Sequence, residues 1–142
     1  MAARKGSAEW KGDLKGGSGE VTVGDGVFQG NYSFASRFEE GEGTNPEELI
    51  GAAHAACYAM ALSNGLAEAG TPPDSIKAEA DVSVRMGDEG PRIAKIELKV
   101  VGSVPGIDEA AFVEAAEDAK KNCPVSKALA GVDEINLDAT LS

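Results

Sequence analysis

The chain has 142 residues, of which 13 are Lys or Arg and 24 are Asp or Glu, so its formal net charge is −11 at pH 7. A surface this acidic repels phosphate backbones and anionic lipid headgroups, which argues against nucleic acids and membranes as partners. The longest apolar run, residues 49–62, is too short to span a bilayer, and no hydrophobic signal segment precedes it, so we expect one cytoplasmic globular domain over residues 1–142.

The first third of the chain alternates between apolar and polar residues and is broken by glycine clusters at 16–19 and 24–26. Alternation with a period of two is typical of half-buried strands, and glycine clusters are typical of turns. We therefore predict two or three antiparallel strands in this part of the chain.

A long helix is predicted next, from about Pro46 to about Ala69. Asn45 can serve as its N-cap, proline suits the first helical position, and Glu48 resembles a capping-box partner. Gly70, followed by two nearby prolines, is predicted to end the helix. At roughly 1.5 Å per residue this helix is about 36 Å long, so we expect it to run through the middle of the fold. Its many alanines allow a sheet or a second copy of the helix to pack closely.

The second half of the chain predicts a hairpin, two helices and a final strand, which makes the fold class α+β. The predicted elements are strands near 76–86 and 93–102, a helix after Asp108 that ends near Asn122, a short helix beginning at Pro124, and a strand over 135–141.

The two cysteines, Cys57 and Cys123, and the single histidine fall short of the usual four ligands of a structural zinc site. Cys57 lies mid-helix among apolar residues, where a free cysteine often serves only as a small buried hydrophobe. Cys123 precedes Pro124 at a predicted helix start, where unpaired N–H groups lower the pKa of a thiol. If this helix start packs against the middle of the long helix, the two sulfurs meet.

A buried Cys57 needs a nearby cation to ionise, because burial alone raises the pKa of a thiol. Lowering that pKa enough to ionise most of the thiol takes roughly 3.4 kcal/mol, and one cation at about 4 Å supplies about 4 kcal/mol. His54 lies on nearly the same helical face, but we favour it as a polar residue at a helix interface, because an imidazolium beside an apolar helix is costly. Arg37 is the better candidate, although a lone arginine is also typical of an ordinary surface.

A carboxylate would hold that guanidinium in place, and Glu47 and Glu48 at the helix start are available. Acidic residues in a first turn are also common simply because they offset the helix dipole. Glu47 lies about 15 Å from Cys57 along the helix axis, which excludes direct contact within one straight helix. Either Arg37 bridges part of the gap, or the carboxylate comes from another subunit.

Two motifs, GTNPEELIGAAHAAC at 43–57 and CPVS at 123–126, together with Ser36-Arg37-Phe38, closely resemble the family of OsmC (osmotically inducible protein C) and Ohr (organic hydroperoxide resistance) proteins. The likeness extends over essentially the whole chain, and AHAAC with CPVS looks more like the OsmC branch. The resemblance implies an OsmC-like α+β fold with antiparallel sheets around a long central helix, in an intertwined homodimer with active sites at the interface.

By that resemblance the protein is a thiol-dependent peroxidase that reduces organic hydroperoxides, and also hydrogen peroxide, without a metal or other cofactor. Cys57 is then the peroxidatic cysteine, Cys123 the resolving cysteine, Arg37 the partner of the thiolate and Glu47 the carboxylate that orients Arg37. Cys57 passes through a sulfenic acid to a Cys57–Cys123 disulfide, and an external dithiol resets the enzyme. In related proteins a lipoyl group is such a reductant, so a lipoyl group or lipoylated protein is the implied partner.

Two other classes of function stay open on the residues alone. One is a small-molecule or lipid binding protein whose buried cysteines are incidental, and the other is a protein stabilised by a structural disulfide worth roughly 4 kcal/mol. Neither class accounts for Arg37 or for the Cys-Pro pair. Under the peroxidase hypothesis, Tyr58, Met60 and nearby Phe residues are expected to line an apolar pocket for an alkyl tail.

Overall fold

The computed structural model describes all of residues 1–142. The chain forms two compact units, Met1–Leu49 and Ile50–Ser142, and the long helix begins in the first and continues through the second. In chain order the elements are β1 (Gly6–Lys11), β2 (Ser18–Val23), β3 (Phe28–Tyr32), α1 (Phe34–Phe38), α2 (Pro46–Glu68), β4 (Ser75–Gly87), β5 (Gly90–Ser103), α3 (Glu109–Asn122), α4 (Pro124–Ala128) and β6 (Glu134–Leu141). This order confirms the predicted α+β class.

No helix of the protein combines the length and the apolar character needed to cross a membrane.

The first unit contains a three-stranded antiparallel sheet in the order β1-β2-β3, as predicted. Gly19 in the middle strand lies opposite both Trp10 and Tyr32, whose ring centroids are 5.3 Å apart. A Cβ atom on Gly19 would approach the Tyr32 ring within 2.4 Å, so this position accepts only glycine without a shift of the rings. The two rings can therefore pack in this way because residue 19 is a glycine and has no side chain.

The ends of α2 follow local signals in the sequence. The side-chain oxygen of Asn45 accepts the N–H of Glu48 at 2.8 Å, which confirms the predicted N-cap. The Glu48 carboxylate does not return to the cap residue but accepts the Thr44 hydroxyl at 3.0 Å. At the other end Gly70 has a φ of 91°, a left-handed conformation that glycine adopts readily, and it stops the helix as predicted.

The second unit contains a three-stranded sheet in the order β4-β5-β6. β4 and β5 form the predicted hairpin, with longer strands and a turn of only two residues, Asp88 and Glu89. β6 runs parallel to β5, and this pairing departs from the predicted antiparallel arrangement. The reason is the connection: the chain passes through α3 and α4 before it returns to the sheet, and parallel pairs need such a crossover.

The core of the second unit lies where α2, α3 and β5 meet. Tyr58, Leu62 and Leu66 recur every four residues on α2 and are fully buried, as expected for one face of a helix. The other core side chains come from the strand and from α3: Ile96, Leu98, Val100, Phe112 and Ala116. A Cβ atom on Gly51 would lie 2.7 Å from the carbonyl oxygen of Ala80 on β4, so the sheet packs closely against α2, one of the two predicted arrangements.

This close approach predicts opposite effects for two glycine replacements in the same helix. Gly51→Ala should lower the free energy of unfolding by about 1–3 kcal/mol, because the Ala80 carbonyl is backbone and cannot move aside cheaply. Gly65→Ala is the matched control: a Cβ atom there would meet nothing within 4 Å outside the local helix backbone, and the smaller backbone freedom of the unfolded chain should raise stability by about 0.5–1 kcal/mol. Urea unfolding of both variants measures the difference, and equal stabilities would contradict the packing.

Candidate active site

Cys57 and Cys123 come together in the second unit. Both are free thiols, and they lie near enough for each to shift the pKa of the other. Cys57 projects from the middle of α2, and Cys123 lies at the junction of α3 and α4. The start of the short helix therefore packs against the middle of the long one, which is the arrangement that would bring the sulfurs together.

The junction at Cys123 follows from the proline after it. A residue before proline is disfavoured in the helical region, and Cys123, with φ −55° and ψ 123°, lies outside that region. Its N–H donates to the Ala119 carbonyl at 2.9 Å and closes α3, while its carbonyl accepts the N–H of Lys127 at 3.0 Å and opens α4. One residue thus ends one helix and begins the next, with its side chain turned inward and fully buried.

The surroundings of Cys123 favour its thiolate. Burial raises its pKa, but the N–H of Ser126, the Cys57 thiol, the Ser126 side chain and the N–H of Val125 each lower it, and the balance is a lowered pKa. The Cys123 side chain forms no capping hydrogen bond at the start of α4. The expected effect of a helix start on this thiol is confirmed.

The surroundings of Cys57 act in the opposite direction. Burial is the largest cause that raises its pKa, and both the hydrogen bond and the charge of Cys123 raise it further. The N–H of Val125 offsets only part of this effect. Among the groups of the second unit, Cys123 therefore ionises before Cys57. A cation beyond these groups is required if Cys57 is to carry the negative charge.

His54 is not that cation. It is fully buried, and burial lowers its pKa, so the ring is neutral at neutral pH. Its Nε2 atom lies 2.7 Å from the hydroxyl of Ser126. This confirms the interpretation of His54 as a polar residue at a helix interface. Ser126 was missed as a site residue, although it is the last residue of the CPVS motif and could have been found there.

The predicted pair of Arg37 and Glu47 forms in the first unit. Nη2 of Arg37 donates to one carboxylate oxygen of Glu47 at 2.7 Å, and Nε lies 3.2 Å from both oxygens. The Glu47 side chain is 10% exposed and the Arg37 side chain 35%, so the carboxylate is held inside while the guanidinium reaches outward. This fork geometry fixes the orientation of the guanidinium.

Local capping holds Arg37 on α1 against the start of α2. The side chains of Ser33 and Ser36 each cap the other's backbone N–H, which stabilises this five-residue helix. The Ser36 hydroxyl also donates to the Thr44 carbonyl at 2.7 Å, and the Asn45 amide donates to the Ser36 carbonyl at 2.9 Å. These bonds tie the element that carries Arg37 to the element that carries Glu47.

Of the residues expected to line an apolar pocket, Phe34 and Phe38 do so, Met60 borders a different cavity, and Tyr58 lines none. Tyr58 does not line a pocket, because its ring is part of the core and its hydroxyl donates to the Ala116 carbonyl at 2.9 Å. Met60 is 74% exposed. The first unit instead holds a cavity of about 210 Å³ beside Arg37. Its lining residues are Trp10, Leu14, Tyr32, Ser33, Phe34, Arg37 and Phe38.

Arg37 and Glu47 belong to the first unit and both sulfurs to the second, so the contact between Arg37 and Cys57 stays a prediction.

Comparison with known proteins places the chain in a family. Residues 39–138 match the family model described as OsmC-like protein. The chain is 52% identical over 139 residues to Peroxiredoxin OsmC of Escherichia coli (strain K12), which covers 97% of this chain and 96% of that protein. It is 34% identical over 124 residues to Organic hydroperoxide resistance protein OhrB of Bacillus subtilis (strain 168), covering 87% and 90%.

The fold agrees with solved structures. The crystal structure of OhrB of Bacillus subtilis has a TM-score of 0.73 to this chain at 26% identity and covers 97% of this chain and 98% of that one. An organic hydroperoxide resistance protein OsmC from Legionella pneumophila has a TM-score of 0.70 at 22% identity, covering 100% and 99%, and shows the same fold. With sequence, length and fold in agreement, the chain belongs to the family of OsmC-like proteins.

Proposed function

We propose that the protein is a cysteine-based peroxidase that reduces organic hydroperoxides, and also hydrogen peroxide, and serves as an antioxidant in the response to oxidative stress. The relatives above are named a peroxiredoxin and an organic hydroperoxide resistance protein, which supports this class of reaction. The observation that carries the proposal is the pair of free thiols held side by side, one partly exposed and one buried.

Cys57 is proposed as the peroxidatic residue and Cys123 as the resolving residue. The Cys57 thiolate attacks the hydroxyl oxygen of the hydroperoxide, the O–O bond breaks, and the alkoxide takes up a proton and leaves as the alcohol. The Cys123 sulfur then attacks the sulfenic acid on Cys57, so that an S–S bond forms and the hydroxyl leaves as water. Partial exposure supports Cys57 as the first sulfur, because peroxide reaches it more easily than the fully buried Cys123.

Arg37 is proposed as the cation that reverses the order of ionisation in the thiol pair. Burial and Cys123 raise the pKa of Cys57, and a guanidinium in contact supplies about 4 kcal/mol in a partly buried site. Glu47 takes up Nε and Nη2, so Nη1 remains to donate to a thiolate. Glu47 is therefore proposed to orient Arg37 rather than to contact sulfur itself.

An intertwined homodimer is proposed as the active assembly. One face of α2 carries small or apolar side chains that are exposed in the single chain: Ala52, Ala53, Ala56 and Met60. An exposed apolar stripe on a long helix is typical of a surface that a second subunit covers. A partner helix on this stripe would lie next to Cys57, which is on the same helix.

The reductant is proposed to be a dithiol, such as a lipoyl group or a lipoylated protein, and the compartment the cytoplasm, where thiols are kept reduced. A dithiol fits because it first forms a mixed disulfide and then closes on itself, which returns both cysteines to thiols.

Peptide mapping after one equivalent of cumene hydroperoxide tests the proposed function. The protein mass should fall by two hydrogens, and a Cys57–Cys123 linked peptide should appear at the rate at which peroxide is consumed. Cys123→Ser is the control, because it should gain one oxygen on Cys57 instead. If the intact protein keeps its mass while the peroxide persists, the alternative applies, namely a small-molecule or lipid binding protein with incidental cysteines.

A further inference from the structure

Ser126 lies between the one histidine of the chain and the thiol of Cys123. Its hydroxyl is 2.7 Å from Nε2 of His54, and it lies three residues after Cys123 at the start of α4, where its side chain lowers the pKa of that thiol. His54 is 0% exposed, Ser126 is 7% exposed and Cys123 is 0% exposed. The three groups therefore form a buried line of polar contacts, and the proposed peroxidase steps do not use the first two.

The unpaired ring nitrogen of His54 indicates the direction of these hydrogen bonds. Nδ1 is buried without a partner. A buried N–H without an acceptor is rarer than a buried acceptor without a donor, so the network assigns the ring proton to Nε2. Nε2–H then donates to the Ser126 oxygen, and the Ser126 hydroxyl is left to donate to Cys123. Because the ring is neutral, it orients the hydroxyl without adding a charge.

We propose that His54 and Ser126 are positioning residues that hold Cys123 as the leaving group when the disulfide is reduced, so that the external thiol attacks Cys57. This inference rests on the proposed function, because its substrate is the Cys57–Cys123 disulfide. The thiolate of the reductant forms an S–S bond with Cys57, and the Cys57–Cys123 bond breaks with its electron pair going to Cys123. The second thiol of the dithiol then releases Cys57 as a thiolate, and the reductant leaves as a disulfide.

Two properties of the thiol pair point to the same direction of attack. In thiol–disulfide exchange the attacked sulfur must be accessible, and the sulfur that leaves faster is the one with the lower pKa. Cys57 is the more exposed of the two cysteines. The side chain and the N–H of Ser126 both favour the thiolate of Cys123, so the negative charge that develops there is stabilised.

Trapping the mixed disulfide tests the direction of attack. The oxidised protein is mixed briefly with 2-mercaptoethanol, quenched with acid and mapped by mass spectrometry. The wild-type adduct should lie on Cys57. In Ser126→Ala the adduct should form about five- to tenfold more slowly, with part of it on Cys123, whereas Ser126→Thr keeps the hydroxyl and should behave like the wild type. A wild-type adduct on Cys123 would overturn the proposal.

A second measurement tests the effect of Ser126 on the ionisation of Cys123, and it needs neither peroxide nor a disulfide. In a Cys57→Ser background Cys123 is the single thiol, and its ionisation is followed by the ultraviolet absorbance of the thiolate as pH rises. Ser126→Ala should raise the midpoint, because it removes a donor to the thiolate. Ser126→Thr should leave it in place, as should the control Ser75→Ala at the exposed start of β4. His54→Leu should raise it less and add nothing on top of Ser126→Ala.

The two measurements separate this inference from the proposed function. If peroxide never links the cysteines, the proposed function fails, yet the midpoint of Cys123 still shows whether Ser126 stabilises its thiolate. An unchanged midpoint in Ser126→Ala contradicts the positioning role even if the peroxidase cycle is intact.

Discussion

Replacing Cys57 with serine is expected to lower the rate of cumene hydroperoxide reduction by at least about a thousandfold. A serine hydroxyl is neutral near pH 7 and cannot form a sulfenic acid, so the first step of the cycle has no nucleophile. Serine is close to cysteine in size, so the helix and its packing should persist. Peroxide consumption with excess dithiol measures the loss, and thermal unfolding checks the fold.

Cys123→Ser is the matched control for this loss, because it removes the other sulfur and leaves the first step intact. It should release one equivalent of alcohol per protein and then stop, since the sulfenic acid on Cys57 has no thiol to condense with. A Cys57→Ser variant that reduces peroxide at the wild-type rate would rule out the proposed function. A Cys123→Ser variant without the first turnover would show that the roles of the two cysteines are reversed.

Replacing Arg37 with alanine is expected to move the negative charge of the thiol pair from Cys57 to Cys123 and to lower the peroxidase rate near pH 7 by about a hundredfold. The pKa of Cys57 is raised by burial and by Cys123, and that of Cys123 is lowered by its N–H and hydroxyl partners. Without the Arg37 guanidinium, these two opposite pKa shifts decide which sulfur ionises. Because the folded-state pKa of Cys57 rises, its thiolate should form, and activity should recover, only at higher pH.

Competitive alkylation measures this shift. Reduced protein is treated with limiting iodoacetamide over a pH series, and the labelled cysteine is identified by peptide mapping. Arg92→Ala is the matched control, because Arg92 forms an ion pair with Asp133 on the exposed surface of the second unit. Arg37→Lys keeps the charge but loses the fork on Glu47, so its profile should fall between the two. An unchanged alkylation profile in Arg37→Ala would count against the assigned role.

Elements with local end signals could be predicted from the sequence. Asn45 and Asp108 cap the two longest helices with side-chain oxygens, Gly70 ends the first of them, and Pro124 begins the short helix. Each signal acts within a few residues, so it can be recognised in the sequence without knowledge of the fold. The alternating strands were predicted for the same reason.

Features that depend on distant parts of the chain could not be predicted. Helix α1 has five residues and a capping box closed by Ser36 instead of Glu or Gln, so it shows neither periodicity nor the usual box signature. The parallel direction of β6 follows from where α3 and α4 deliver the chain. The contact between His54 and Ser126 joins residues 72 positions apart, and only packing creates it.

The same distinction between local signals and contacts of distant residues applies to the candidate site. The cysteines and the Arg37–Glu47 pair were identified by residue type and motif, and the structure brings each pair together. The order in which the two thiols ionise was not predictable, because it depends on which N–H groups and hydroxyls point at each sulfur. The need for a cation at Cys57 was expected from its burial, whereas the further rise in its pKa caused by Cys123 was not.

With Cys57 as the proposed peroxidatic residue, the unequal exposure of the two cysteines should determine which of them is lost to overoxidation. A sulfenic acid that meets a second peroxide molecule becomes a sulfinic acid, which a dithiol does not reverse. A second peroxide molecule can reach Cys57 because this residue is partly exposed, whereas Cys123 is buried in the core. Because the two cysteines already lie near each other in the reduced protein, condensation should need no unwinding of a helix and should precede a second oxidation at low peroxide. At a high peroxide concentration, sulfinic acid should accumulate on Cys57 and not on Cys123.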